Sequence, residues 1–311
     1  MRLITNTTEF EFRNTAVTLG KFDGIHLGHK KILREIGKAK TEGLTTVVFT
    51  FSSQPAHVMF GEKESFLLTT EEKLNLYEQC GVDVLIVYPV TKEFFAMEAE
   101  DFIADILVKK LGMKLLIGGS DLSFGRNRRG TAQLADELGK IYGYELRIIE
   151  KEPLSETIVS STEIRKNILE GKMERANQLL GYPYFFSGKI CHGKALGRTI
   201  GIPTINQELD EHKLVPPHGV YASETVIEEK TYISITNIGC KPTVGDNFAP
   251  AIETHLLDFD GDVYGKRALV RLFRFMRPEI KFSGIEGLKE QMQRDIAARR
   301  KMEGTNGKTD I

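Results

Sequence analysis

Residues 16–30, AVTLGKFDGIHLGHK, hold a short apolar run, a break at Gly20 and two histidines, His26 and His29, separated by Leu-Gly. Val17, Thr18 and Leu19 read as the end of a buried strand. Beyond His29, KKILREIGKAK repeats its apolar residues at helical spacing, so the histidines sit where a strand feeds a helix. A helix start attracts anions, because its first backbone N–H groups lack intrahelical partners and the macrodipole adds partial positive charge. Gly20, Gly24 and Gly28 permit tight turns and close approach of a phosphate to the backbone. His26 and His29 add side-chain donors three positions apart. The whole suits the grip on a nucleotide triphosphate. A zinc pair would need further ligands nearby, and Cys80, Cys191 and Cys240 are far apart. A solvated surface pair is the plainer alternative, against which the strand–loop–helix context speaks.

Working outward, the first ~180 residues alternate apolar runs with amphipathic segments, the pattern of a parallel sheet wrapped by helices. TTVVFTF, VDVLIVYPV, KLLIGG and ELRIIE are the expected strands, with helices at 71–79, 99–111 and 131–142. Such sheets bind ligands beyond the carboxyl ends of their strands. TFSSQP, GGSDLSFGRNRRG and VSSTEIR belong at that end. At Gly181-Tyr182-Pro183 the pattern changes to short strands with turn residues, closing in the amphipathic stretch 284–302. A small antiparallel barrel capped by a helix is expected there, with Asp260-Gly261 as a tight hairpin signal.

Composition bounds the function more loosely. A chain of 311 residues exceeds the usual size of one core, so two domains are expected. With 42 basic against 43 acidic residues, the net charge of −1 gives no global reason to expect nucleic acid or membrane as a partner. Three scattered cysteines fit a reducing cytoplasm. The start, MRLITNTTEFEF, has neither the basic region nor the apolar run of a signal peptide, and no stretch approaches the ~20 apolar residues that span a bilayer.

Two more segments invite phosphate. In VSSTEIRKNILEG the hydroxyls of Ser160, Ser161 and Thr162 precede a helical run and, read alone, are helix caps. In HGKALGRTIGIPTIN, residues 192–206, Gly193, Gly197 and Gly201 stand four apart, making a loop whose amides can wrap phosphates, although a plain barrel turn has the same glycines. Thr204 and Asn206 offer oxygens for a magnesium ion, which takes few protein ligands besides the substrate's phosphates. Glu253, in AIETHLLDFDGDVYG, is a carboxylate on an expected barrel strand, where the solvent face is its commonest setting. His255 lies two residues on, on the same face, suited to positioning the site or to a structural hydrogen bond.

These strings together carry a resemblance. LGKFDGIHLGHK resembles the H-x-G-H nucleotidyltransferases, and its F-D-G form resembles the adenylyltransferase half of the prokaryotic bifunctional riboflavin kinase/FAD synthetases. S-S-T-x-I-R is similar to the second signature of that superfamily. G-R-x-x-G-x-P-T-x-N resembles the riboflavin kinase signature, with Ile205 where alanine is common and Ile202 where phenylalanine is common. AIETHLLDFDGDVYG is similar to the same family's glutamate segment. The resemblance covers about residues 14–303 and implies a Rossmann-like α/β nucleotidyltransferase domain (1–180), a riboflavin kinase β-barrel with a C-terminal helix (181–303) and a disordered tail (304–311).

By that resemblance, Gly20, Phe22, Asp23, Gly24, His26, His29, Ser161, Thr162 and Arg165 bind ATP for adenylyl transfer. Asp121, Phe124, Gly125 and Arg126 meet the flavin. Gly193, Gly197, Arg198, Gly201, Pro203, Thr204 and Asn206 bind ATP for phosphorylation, with Thr204 and Asn206 on magnesium. Glu253 is the catalytic base, and His26, His29 and Arg165 serve the adenylyl transfer. The implied enzyme makes FMN from riboflavin and ATP, then FAD from FMN and ATP. It takes only small-molecule partners, as a cytoplasmic monomer or weak homo-oligomer. Three departures from the family pattern, Leu122, Ser123 and Gln54, motivate the alternative of a kinase with a degenerate first domain. A non-catalytic flavin-binding or sensing protein is the other alternative.

Overall fold

The computed structural model describes residues 1–51, 65–150, 153–154, 157–193, 197, 200–242 and 248–302. The chain forms two compact units, Met1–Ser160 and Ser161–Ile311.

The first unit is built on a six-stranded sheet. Its strands are β1 (Arg2–Thr5), β2 (Thr15–Leu19), β3 (Thr45–Phe51), β4 (Val84–Tyr88), β5 (Met113–Gly119) and β8 (Glu145–Ile149), all parallel, in the order β1-β4-β3-β2-β5-β8. The four strands expected between 45 and 150 all form. Val17, Val47, Phe49, Ile86, Leu116 and other buried apolar residues of these strands make the core, with Phe102, Ile103, Ile106 and Leu107 packed on one side. Between β5 and β8 lie a short ribbon, β6 (Ser123–Phe124) with β7 (Gly130–Thr131), and the helix Ala132–Tyr142. The segment expected as a helix over 99–111 is helical, but Phe102–Lys110 winds as a π-helix that closes with Leu111 N–H bonded to the carbonyl of Ile106, five residues back. A small antiparallel pair, β9 (Pro153–Leu154) and β10 (Thr157–Ile158), ends this unit.

The second unit opens with the helices Ser161–Leu169 and Met173–Leu180, which precede a closed barrel. Asn177 ties the second helix to the barrel: its Oδ1 accepts from Tyr184 N at 2.8 Å and its Nδ2 donates to Leu272 O at 2.8 Å. The strands β11 (Tyr184–Cys191), β12 (Ile205–Gln207), β13 (Gly219–Ile227), β14 (Lys230–Pro242), β15 (Phe248–Leu256) and β16 (Arg267–Arg277) close in the order β11-β12-β15-β14-β13-β16. The barrel interior is partly polar. Ser223, Thr225, Ser234, Thr236 and Thr254 are fully buried and bond one another through hydroxyls 2.8–3.0 Å apart, so each satisfies its neighbour.

The hairpin expected at Asp260-Gly261 is not there. β15 pairs with β12 and β14, and β16 pairs with β11 and β13, so the intervening residues cross the end of the barrel instead of turning back on themselves. Phe259 anchors that crossing against Tyr232, with ring centroids 5.1 Å apart. The tight hairpin lies at Glu228-Glu229, between β13 and β14, where both residues have positive φ (49° and 66°). That is the mirror-image turn that suits strand twist, here without the usual Asn-Gly. The terminal helix forms over Ile285–Lys301. No described helix is long and apolar enough to cross a membrane. Residues 304–311 lie outside the described residues.

Candidate active sites

In the first unit β2 lies between β3 and β5, so the chain leaves β2 toward one side of the sheet and β5 toward the other. Ligands of open parallel sheets sit where the strand order reverses in this way. The loop after β2 carries Gly20 to His26, and the loop after β5 carries Asp121 to Gly125. The loop after β2 is strained. Phe22 (φ 45°) and Ile25 (φ 36°) adopt left-handed backbone around Gly24 (φ 84°), although both carry large buried side chains. Burial pins them. Phe22 packs edge-on against His29 at 5.0 Å and Tyr77 at 6.1 Å. Asp23 Oδ1 accepts the N–H of Leu67 at 3.0 Å, which closes the loop's far side.

The helix Leu27–Lys38 starts immediately afterwards, with His26 as its cap. His26 Nδ1 accepts from His29 N at 3.4 Å, and the two rings stack at 3.7 Å and 17°. An imidazole whose Nδ1 accepts carries its proton on Nε2, so His26 spends one nitrogen on the helix and keeps its donor on the other. The sequence pattern alone credits both histidines as plain donors and misses this. Gly28 leaves room between them, because a Cβ there would stand 3.2 Å from the His26 ring, a tight contact.

Of the segments expected beside this loop, Asp121 is exposed, whereas Phe124 is buried in the core against Phe102 at 6.1 Å. Gly125 has φ 69° and presses on Ala99, where a Cβ would come within 2.5 Å of Ala99 Cα. Arg126 pairs with Glu98 at 3.2 Å and Arg128 Nε donates to Ser123 Oγ at 3.1 Å. Ser161, Thr162 and Arg165 fall on the opening turns of the helix Ser161–Leu169, in the second unit. Ser53, Gln54 and Pro55 lie outside the described residues.

In the barrel the chemistry stands on the sides of strands. Glu253 on β15 lies across from Asn206 on β12 and from Asn237 on β14, so both amides flank one carboxylate. Since Thr254 points into the barrel, Glu253 and His255 face outward. That face is covered. Glu253, His255, Thr204, Gly197 and Asn237 line a cavity of about 230 Å³ together with Leu288, Met292 and Ile296 of the terminal helix.

The helix is fastened over the cavity by a part-buried pair. Arg277 Nη2 donates to Asp295 Oδ2 at 2.7 Å and Nε to Oδ1 at 3.0 Å, while Gln291 Nε2 adds 2.9 Å to the same carboxylate. Arg299, 1% exposed, donates to the carbonyl of Ser223 at 3.1 Å beside the irregular pairing of β13 with β16. Asn237, Arg277, Glu279 and Asp295 all line the cavity and were not picked out by sequence reasoning. The available signal was that Asp295 and Arg299 share a helix face with Leu288 and Met292, charges where the periodicity asks for apolar residues.

Around Thr204 the loop is tight. Ile202 N donates to Gly197 O at 2.8 Å, Gly201 has φ 74°, and a Cβ on Gly197 would fall 2.2 Å from the Ile202 carbonyl oxygen. A Cβ on Gly193 would likewise fall 2.2 Å from Asn206 Nδ2, so Gly193 makes the space in which the buried Asn206 side chain sits. Arg198 lies outside the described residues. Thr204 and Asn206 present oxygen donors two residues apart, which fits a hard cation sharing its remaining positions with phosphate. Among the described residues no group of three or more His, Cys, Asp or Glu is arranged to hold a metal by itself.

Comparison with known proteins places these two units together. The FAD synthetase family model matches residues 9–163 and the riboflavin kinase family model matches residues 180–303. The bifunctional riboflavin kinase/FMN adenylyltransferase of Listeria monocytogenes is 36% identical over 293 residues, 93% of this chain and 92% of that protein. Its counterpart in Bacillus subtilis is 37% identical over 291 residues (92% and 91%), and that of Escherichia coli K12 is 34% identical over 307 residues (98% and 97%). A crystal structure described as a macrolide-efflux protein from Streptococcus pneumoniae superposes with a TM-score of 0.84 at 29% identity, covering 96% of this chain and 98% of that one. With two family models in tandem and relatives matched over nearly their full length, the chain belongs to the bifunctional riboflavin kinase/FMN adenylyltransferase family.

Proposed function

We propose that this chain phosphorylates riboflavin with ATP to give FMN in the barrel, and adenylylates FMN with a second ATP to give FAD and pyrophosphate at the parallel sheet. Adenylyl transfer is assigned to residues 1–180 and phosphorylation to 181–303. The observation that carries this reading is Glu253, set by register between Asn206 and Asn237 in a cavity shared with Thr204.

The 5′-hydroxyl of riboflavin is a neutral, weak nucleophile. Glu253 accepts its proton as the oxygen bonds to the γ-phosphorus and ADP leaves. A carboxylate is a much weaker base than an alkoxide, so the transfer comes late, as the new P–O bond forms. Asn206 and Thr204 would hold magnesium with the ATP phosphates, and the ion's contribution there is neutralisation of phosphate charge. Gly193, Gly197, Gly201 and Pro203 shape the loop around those phosphates, and Arg198 is assigned to ATP by the family resemblance. The apolar face Leu288, Met292 and Ile296 suits a flat aromatic ring system, which supports the isoalloxazine as occupant of the cavity.

At the other site the nucleophile is the phosphate of FMN, which carries about −1.5 to −2 charge at neutral pH and needs no base. One of its oxygens bonds to the α-phosphorus as pyrophosphate departs. His26 Nε2, His29 and the first amides of their helix stabilise the charge that develops. Arg165 adds a forked, permanently charged donor, with Ser161 and Thr162 as hydroxyl donors. Asp121, Phe124, Gly125 and Arg126 are assigned to the flavin end. The free thiols Cys80, Cys191 and Cys240 support a cytoplasmic setting.

Chromatographic separation of flavins after incubation with ATP and magnesium tests the reading, starting one reaction from riboflavin and another from FMN. FAD in both is expected. FMN alone from riboflavin, with no FAD from FMN, would leave only the barrel active.

A further inference from the structure

His255 stands across from Thr204 in the continued register of β15 and β12, one step beyond the pair Thr254–Ile205. Its Nδ1 lies 2.7 Å from the carbonyl oxygen of Pro203. A carbonyl only accepts, so Nδ1 carries the proton and the ring is held as one tautomer. Burial lowers the pKa of this ring, against smaller opposing effects of the Pro203 carbonyl and Asp258, which favours the neutral form.

The bond falls at a point where the chain has few other means of attachment. Upstream, the Ile202 N–H is tied back to Gly197. Downstream, ladder pairing begins only at Ile205. Between them Pro203 has no N–H, so the Ile202–Pro203 link gives no donor and Pro203 itself can be anchored only through its carbonyl. His255 takes it, from the same strand face that carries Glu253, and both side chains line the cavity with Thr204.

We propose that His255 is a positioning residue for phosphoryl transfer, whose Nδ1–H holds the Pro203–Thr204 peptide and thereby sets the Thr204 oxygen in register with Glu253. It ties the ATP-side loop to the strand of the base, so that the two halves of the reaction share one ruler. This rests on the kinase reading above.

The test uses three full-length variants. Asparagine places its amide near the position of Nδ1, glutamine places it near Nε2, and alanine has neither. His255→Ala and His255→Gln are expected to raise KM for ATP-Mg and weaken Mg-ADP binding by calorimetry roughly tenfold, the worth of one hydrogen bond at the upper end of its usual range. KM for riboflavin should move less. His255→Asn should recover most of the loss, and FAD formation from supplied FMN should stay at the wild-type level in all three, reporting intact folding of the first unit. Equal impairment of the asparagine and alanine variants, or wild-type Mg-ADP affinity in all three, overturns the proposal. If wild-type protein forms no FMN, the kinase reading itself fails, a result separate from either of these.

Discussion

In the parallel sheet the groups proposed to meet phosphate are gathered at strand ends, on a loop whose shape is forced by buried side chains at unfavourable φ. In the barrel they stand on the flanks of strands, spaced by ladder register and roofed by a helix. Phe22 and Ile25 each hold positive φ because their side chains are sunk in the core. Asn206, Glu253 and Asn237 need no strain, since neighbouring strands bring them level. Under the proposed function, the first arrangement would offer amides and imidazoles to a nucleophile that is already charged, and the second would set one carboxylate where a neutral hydroxyl has to lose its proton.

The comparison breaks most sharply at Glu253. Glu253→Ala should lower FMN formation from riboflavin by about 10²–10⁴-fold, the usual range for a general base. FAD formation from supplied FMN should be unchanged, both read by flavin chromatography. Parallel loss of the two activities would remove the assignment of separate sites.

Next in size is the fastening of the roof. Asp295→Ala removes the carboxylate from a part-buried Arg277 that keeps its bond to the Pro278 carbonyl, so the loss should fall below the roughly 3–5 kcal/mol of a fully buried pair. Denaturant unfolding followed by circular dichroism should show a transition at lower denaturant than in wild type, with phosphorylation lost across it. Unfolding indistinguishable from wild type would mean that the terminal helix is held mainly by Leu288, Met292 and Ile296.

His26→Ala sharpens the other side. It removes one donor to the developing charge, a loss of about 10²–10³ in the rate of FAD formation. It also removes the cap on His29 N, so the helix start loses about 1 kcal/mol. Phosphorylation of riboflavin should be untouched. His26→Asn restores the cap but not the Nε2 donor, so it should regain stability without regaining rate. Recovery of both would reduce His26 to a cap.

Much of this was legible in the chain, and the boundary of legibility is physical. Strand, break and helix around His26 and His29 are short-range patterns, and so is the alternation that places Glu253 and His255 on one face. What escaped depends on partners distant in sequence. His26 as the cap of its own helix follows from a ring orientation that periodicity does not encode. Asp260-Gly261 has hairpin chemistry, but the barrel order sends β15 and β16 to different neighbours, and Phe259 with Tyr232 fixes a crossing instead. The hairpin at Glu228-Glu229 uses residues that rarely take positive φ, so no composition signal marked it. Alternation alone suits Glu253 to a solvent face and only the family resemblance marked it as the base; the cover over that face comes from the terminal helix, which also carries Asp295 to Arg277 across 18 positions of sequence.

The smallest expected effect concerns pH and the tie between the two sides of the barrel site. His255 binds its proton more weakly in the folded chain than in the unfolded one, first because burial disfavours the charged ring, with the Pro203 carbonyl and Asp258 only partly offsetting this. Above the ordinary histidine value near 6.5, both states are neutral here and the contribution to stability is complete. As pH falls through 6.5 toward the lower folded value, the unfolded chain takes up its proton first, and stability declines. Below the folded value both states are protonated and the decline stops. His255→Asn has no such titration but keeps an amide toward Pro203. The gap between the denaturant midpoints of wild type and this variant should therefore move in favour of the variant as pH drops from 7.5 to below 6, and stay constant at higher pH. A gap that does not change with pH would mean that the ring is protonated equally easily in both states, and that burial against the Pro203 loop is looser than the 2.7 Å contact implies.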